Sequence, residues 1–127
     1  MSFRQNAVYV KRTDTLREAA RLMRQARLSC LPVMGDGSVV GIITERDMVE
    51  AVARGVRPSE AHVAEYTNDG SVTVSIDEDS SMAATKMLAI GCRHLPVLDA
   101  GKLVGMVSMR DIFLAAVRAE AEAVLVR

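Results

Sequence analysis

Two short segments of this chain carry side chains that could do chemistry, and they are spaced alike. Thr44-Glu45-Arg46-Asp47 and Ser108-Met109-Arg110-Asp111 each set a hydroxyl three residues before a carboxylate, with an arginine between them. A carboxylate can accept hydrogen bonds from two neighbouring hydroxyls, as on a sugar ring. A hydroxyl at a helix start, with the backbone N–H groups of the next turn, can face an anion. Arg46 and Arg110 can neutralise that anion as forked donors. The same spacing also fits a capping box, in which Thr or Ser caps a helix and the acid answers from the third position. The two roles are compatible, because cap and ligand can share one junction.

Both segments belong to a longer duplication. Residues 8–53 align with 72–117 without a gap, and fourteen of these forty-six positions are identical, Pro32/Pro96, Gly41/Gly105 and Asp47/Asp111 among them. One unit therefore occurs twice, over about 1–64 and 65–127. A period this long with two copies predicts two halves packed together rather than a solenoid.

The chain has 127 residues, half of them apolar. That suffices for one domain or two interdependent halves. Sixteen basic residues balance sixteen acidic ones, which argues against a general footprint for nucleic acid. Only 3% of the residues are aromatic, so stacking platforms for single strands are hard to build. No apolar run reaches the length of a membrane span, and the first residues lack a signal-peptide core. Cys30 and Cys92 are not at equivalent repeat positions and have no CxxC or histidine-rich surroundings. They read as reduced thiols of a cytoplasmic protein rather than as zinc ligands.

Each copy reads as strand, helix, strand, strand, helix, an α/β (α+β) unit. In the first copy Val8–Val10 is a short strand. Thr15–Ala26 is a helix with Thr15 and Glu18 as its capping box and a stripe of Leu16, Ala19, Ala20, Met23 and Ala26. Leu31–Met34 is a strand whose Pro32 belongs at a start or an edge. Gly35-Asp36-Gly37 is a hairpin turn, Val39–Ile43 the return strand, and a helix runs from Thr44 to about Ala53 with Gly55 beyond it. In the second copy Asp79 takes the place of Thr15, and the stripe is Met82, Ala83, Met87 and Ile90. Leu95–Leu98, Asp99–Gly101, Leu103–Val107 and a helix from about Met109 follow. Between the copies, Pro58 to about Glu65 reads as a short helix and Asn68–Ser71 as a turn. The last helix ends on Val124-Leu125-Val126, an apolar cluster that this chain or a partner should cover.

Two β-α-β-β-α units, each with a Leu-Pro-Val strand, a Gly turn and a Gly-apolar-apolar-Ser/Thr-x-x-Asp segment, resemble the CBS domain pair, or Bateman module. The likeness covers roughly residues 7–117. Because 127 residues leave no room for a catalytic domain, the chain resembles the stand-alone CBS proteins of bacteria and archaea. The resemblance implies a pseudo-two-fold pair, a flat disc-like homodimer, and clefts that take adenosine-containing ligands: AMP, ADP, ATP, S-adenosylmethionine or NAD-type molecules. The family's ribose-binding aspartate falls on Asp47 and on Asp111. A basic residue before the Leu-Pro-Val strand often reaches ligand phosphates in the family, which would assign that task to Arg93 and His94. Ser29 and Cys30 stand there in the first copy and cannot do it.

Lys11 and Arg12 follow the first strand, where the second copy has Ser75 and Ile76, so the two clefts should be chemically unequal. The Arg93–His94 cleft should prefer a phosphorylated ligand, and the other should be empty or hold a less charged one. Val10, Val33, Ile42, Val97 and Met106 could wall an adenine, although such residues are core first. The expected function is a regulatory sensor without an obligatory cofactor, acting on an unidentified protein partner. The alternative is a ligand-free dimerisation or interaction scaffold. No nucleophile elbow, P-loop or metalloprotease motif points to an enzyme.

Overall fold

The computed structural model describes residues 1–5, 8–67 and 72–125. The first repeat contains β1 (Val10–Lys11), α1 (Leu16–Ala26), β2 (Cys30–Gly35), β3 (Ser38–Thr44) and α2 (Glu45–Ala53). The second contains β4 (Val74–Ser75), α3 (Ser80–Ile90), β5 (His94–Asp99), β6 (Lys102–Ser108) and α4 (Met109–Leu125). Each repeat forms a three-stranded sheet, in the orders β1-β2-β3 and β4-β5-β6. The first pair of strands in each sheet is parallel and the second antiparallel. The register is duplicated as well: Val33 pairs with Gly41 and Val97 with Gly105, each followed by an irregularity at the next residue.

Local chemistry accounts for these elements. The tight hairpins need left-handed backbone, which Asp36 (φ 52°) and Gly37 (φ 80°) supply in the first repeat. Ala100 (φ 49°) and Gly101 do so in the second, and Ala100 bears the steric cost of a Cβ in that region. Thr15 and Glu18 form the expected reciprocal cap on α1, and Asp79 accepts from the Met82 N–H on α3. Pro32 lies in a central strand, one residue before β1 begins to pair at Val33. The short partner strand leaves that side of Pro32 outside the ladder, so no missing N–H is felt there.

The helical stripes are narrower than expected. Leu16, Ala19 and Met23 are buried on α1, and Ala83 and Met87 on α3. Ala20 is exposed, and Met82 is 47% exposed, because each lies just outside the face that packs on its sheet. β1 starts at Val10 rather than Val8. The expected helix from Pro58 to Glu65 is absent. One turn returns the Ala61 N–H to Arg57, and the chain then pairs with the loop before α1, through Val63 N–H to Asp14 and Leu16 N–H to Ala61. Only Val63–Glu65 forms a 3-10 turn. Those long-range bonds take up the Val63 N–H and the Ala61 carbonyl that a helix would need, and Ala61 and Val63 are buried. The turn read at Asn68–Ser71 and the terminal Val126 lie outside the described residues.

Among the described residues, the core has two clusters that do not respect the repeat boundary. The first joins Leu16, Leu31 and Ile43 with Cys92 and Met106 of the second repeat. The second centres on Val74, Leu95 and Val107, and Met1 and Phe3 pack against it. The first residues thus form a strap over the opposite repeat. Arg4 exchanges N–H and carbonyl bonds with Met106 on β6, at 2.8 and 2.9 Å. Gly105 is required beneath it, since a Cβ there would strike the Arg4 backbone carbonyl.

Candidate functional site

Each strand-to-helix junction is built twice in the same way. Thr44 N–H donates to Asp47 Oδ2 (2.8 Å) and Asp47 N–H to Thr44 Oγ1 (3.1 Å). Ser108 N–H donates to Asp111 Oδ2 and Asp111 N–H to Ser108 Oγ, both at 3.0 Å. The next N–H is also committed: Glu45 N–H donates to Ser29 O and Met109 N–H to Arg93 O. Both capping boxes are therefore formed, and these helix-start donors do not lie open to an anion. All four capping side chains remain half-buried, so each junction borders solvent.

Between the junctions runs a seam where β2 packs against β5. Ser29, 5% exposed, is its hub. Ser29 N–H donates to His94 Nδ1 at 3.0 Å, and Ser29 Oγ lies 2.7 Å from the same nitrogen. Ser29 Oγ also accepts from the Arg93 N–H at 3.3 Å. An Nδ1 that accepts a backbone N–H carries no proton. Burial holds the His94 pKa below its usual value, and the positive charges of Arg4 and Arg93 add to this, against a smaller opposing effect of Asp111 and Glu45. His94 is thus a neutral, inward-turned member of the seam. The cationic role expected of it beside a phosphate does not fit this geometry.

Arg93 is exposed and points across to repeat one, where its Nη2 is 3.3 Å from Glu45 Oε2. Arg93 and His94 both line a cleft of about 610 Å³ with Arg24, Arg27, Glu45 and the apolar Met23, Leu28 and Met48. The two further arginines come from the end of α1, and the position of the cleft could not be read from repeat alignment. Lys11 and Arg12 line a different cleft of about 640 Å³, joined there by Lys102 of repeat two and by Tyr9 and Met34. Both clefts therefore carry basic groups, unlike the expected contrast between a charged and a less charged one. Arg46 turns to the far end of α3, where its guanidinium packs over Gly91. A cation there meets the negative end of the helix dipole.

The apolar positions named as adenine walls are closed. Val10, Val33, Ile42, Val97 and Met106 are all 2% exposed or less, and the strap lies along Met106. They fill the core because strand residues of a sheet covered on that face have no route to solvent. Among the described residues, no three His, Cys, Asp or Glu side chains gather as metal ligands, and no helix is long and apolar enough to cross a membrane.

Comparison with known proteins agrees with the duplicated architecture. The family model described as CBS domain matches twice, at residues 3–54 and 63–118. An uncharacterised 17.7 kDa protein of Acidianus ambivalens is 40% identical over 105 residues, which is 81% of this chain and 63% of that protein. A protein of Methanopyrus kandleri is 35% identical over 79% of this chain, and the match spans 53% of its length. The chain thus spans only half to two-thirds of these curated relatives. Among solved structures, a protein with CBS domains from Burkholderia ambifaria superposes with a TM-score of 0.80 at 27% identity, covering 90% of this chain and 85% of that one. CBSX2 in complex with AMP superposes with a TM-score of 0.72 at 25% identity, covering 94% of each.

Proposed function

The chain belongs to the CBS domain family, and from that premise we propose that it is a regulatory module binding an adenosine-containing ligand beside the seam between its repeats. The observation that carries this reading is the cleft where Arg24, Arg27 and Arg93 stand beside the apolar Ala20, Met48 and Val49, with Met23 and Leu28 almost closed behind them. An adenosine phosphate has the matching parts, a flat apolar base and a phosphate for forked donors. The Arg93–Glu45 pair is exposed on both sides and contributes little by itself. A phosphate would replace Glu45 as the partner of Arg93 at small cost. The ribose would share the carboxylate of a helix cap, Asp47 or Asp111. The ligand-bound AMP complex of CBSX2 supports the ligand class by analogy. Regulation would follow by population shift: a ligand touching both repeats favours one packing of the seam, which a protein partner reads.

Calorimetry against AMP, ADP, ATP, S-adenosylmethionine and NADH tests the proposal. Micromolar to millimolar binding of at least one is expected, and no heat from any at millimolar concentration would overturn it. Asp47→Ala and Asp111→Ala should each abolish one site, and each should cost about 1 kcal/mol of stability through the lost cap. A loss of stability with unchanged affinity in both variants leaves them as caps only.

A second reading rests on a separate observation. Val49 and Val52 on α2, and Phe113, Val117 and Leu125 on α4, are all exposed. Two equivalent helices with uncovered apolar side chains favour a homodimer that hides them, with or without a ligand. Native mass spectrometry of the freshly purified protein reports both dimer state and carried ligand. A ligand-free dimer that binds none of the five compounds selects the scaffold reading.

A further inference from the structure

Cys30 and Cys92 occupy unrelated positions in their repeats, yet folding buries both in one core cluster. Cys30 opens β2 and Cys92 precedes β5; they are 0% and 7% exposed. Cys92 Sγ lies 3.6 Å from Ser29 Oγ and 4.0 Å from the Ser29 carbonyl oxygen, which belongs to the peptide group leading into Cys30. In return, the Cys30 S–H donates to the carbonyl of His94 at 3.0 Å, two residues beyond Cys92. Each sulfur is thus placed against the backbone that carries the other. Their mutual interaction holds the Cys92 pKa below its usual value and pushes that of Cys30 up, and burial raises Cys30 further. The pair therefore divides into one sulfur that ionises readily and one that keeps its proton, the usual division between an attacking and a resolving thiol.

We propose that Cys30 and Cys92 are an oxidisable dithiol that closes to a disulfide across the two repeats when the protein meets a hydroperoxide. The Cys92 thiolate attacks a peroxide oxygen, the S–O bond forms, the O–O bond breaks, and hydroxide leaves to take up a proton as water. The Cys30 sulfur then attacks the Cys92 sulfur. The S–S bond forms, the S–O bond breaks, and the departing hydroxide takes the Cys30 proton as a second water. Two thiols and one hydrogen peroxide yield one disulfide and two waters, with two electrons passing from sulfur to peroxide. The bond would pin β2 to β5 at Ser29 and His94, so the seam could no longer open. This step is independent of any nucleotide in the clefts.

The test uses the reduced full chain, treated with hydrogen peroxide and then digested. The expected result is a monomer lighter by about 2 Da, a peptide pair joined through Cys30 and Cys92, loss of maleimide labelling at both, and restoration by dithiothreitol. Cys30→Ser should stop at a Cys92 sulfenic acid that dimedone traps, and Cys92→Ser should leave Cys30 unoxidised. Wild-type protein that retains both thiols, oxidises without the 30–92 link, or links only between chains overturns the proposal. The wild-type measurement decides even if a variant fails to fold.

Discussion

Residues 27–30 and 91–94 are the same stretch of the two repeats, and they hold different chemistry. Repeat one reads Arg27-Leu28-Ser29-Cys30, and repeat two reads Gly91-Cys92-Arg93-His94. The junctions one strand away are duplicated almost atom for atom, as reciprocal caps with bonds of 2.8 to 3.1 Å. The difference follows from position. A cap is satisfied inside its own repeat, so both copies can keep it. The stretch before β2 and β5 lies where the repeats meet, and near a two-fold axis equivalent residues face each other. Identical side chains there would set donor against donor or charge against charge. Divergence lets the Ser29 N–H donate to His94, lets the Cys30 S–H donate to the His94 carbonyl, and lets Gly91 make room for Arg46.

The largest effect should come from the part that is still symmetric. Leu31 and Leu95 are equivalent and fully buried. Leu31→Ala and Leu95→Ala should each cost about 2–5 kcal/mol. Because Cys92 and Met106 belong to the core of repeat one, calorimetry should show one transition shifted by both variants. Two separable transitions would break the picture of a single folding unit.

A smaller effect should sharpen the contrast at equivalent positions 29 and 93. Ser29→Ala strips the hub of its hydroxyl from His94 and from the Arg93 N–H, and should cost about 1–3 kcal/mol. Arg93→Ala removes only an exposed ion pair and should cost less than about 1 kcal/mol. Chemical denaturation of the two variants checks this, and equal losses would contradict the asymmetry.

The smallest effect depends on pH. The folded chain lowers the pKa of His94. The stabilisation is complete well above the usual histidine value of about 6.5. Below it the unfolded chain binds a proton that the folded chain resists, so stability falls as pH drops, by at most about 1.4 kcal/mol per unit. Melting temperatures at pH 8 and pH 5 should therefore differ more in the wild type than in His94→Asn, whose amide oxygen can still accept the Ser29 N–H. Cys30, at the equivalent place, gives no such dependence in this range.

The parts legible in the sequence were those decided locally. Caps, hairpins and strand register follow from residues a few positions apart, and duplication doubled each signal. The membership in the CBS domain family followed from the same motifs. The expected helical stripes are one residue too wide at Ala20 and Met82, because small and flexible apolar residues are tolerated on either side of a packed face. The helix read at Pro58–Glu65 failed because its backbone donors pair with the loop at Arg12–Thr15, which no local pattern announces. The seam was illegible for the same reason. Arg93 and His94 looked like a basic pair, and only folding turns one outward to Glu45 and the other inward to Ser29. Gly105 reads in sequence as half of a repeated motif, although a strand glycine also signals a close backbone approach.

The strap of Phe3 and Arg4 has a consequence for the chain while it is incompletely folded. It joins residue 4 to residue 106, so it closes nearly the widest loop in the fold and should form late. Until then β6 presents a bare strand edge, flanked by apolar side chains and open to pairing with another molecule. Once seated, Arg4 pairs with Met106 on that edge, and there the chain guards itself against edge-to-edge association with a segment of its own.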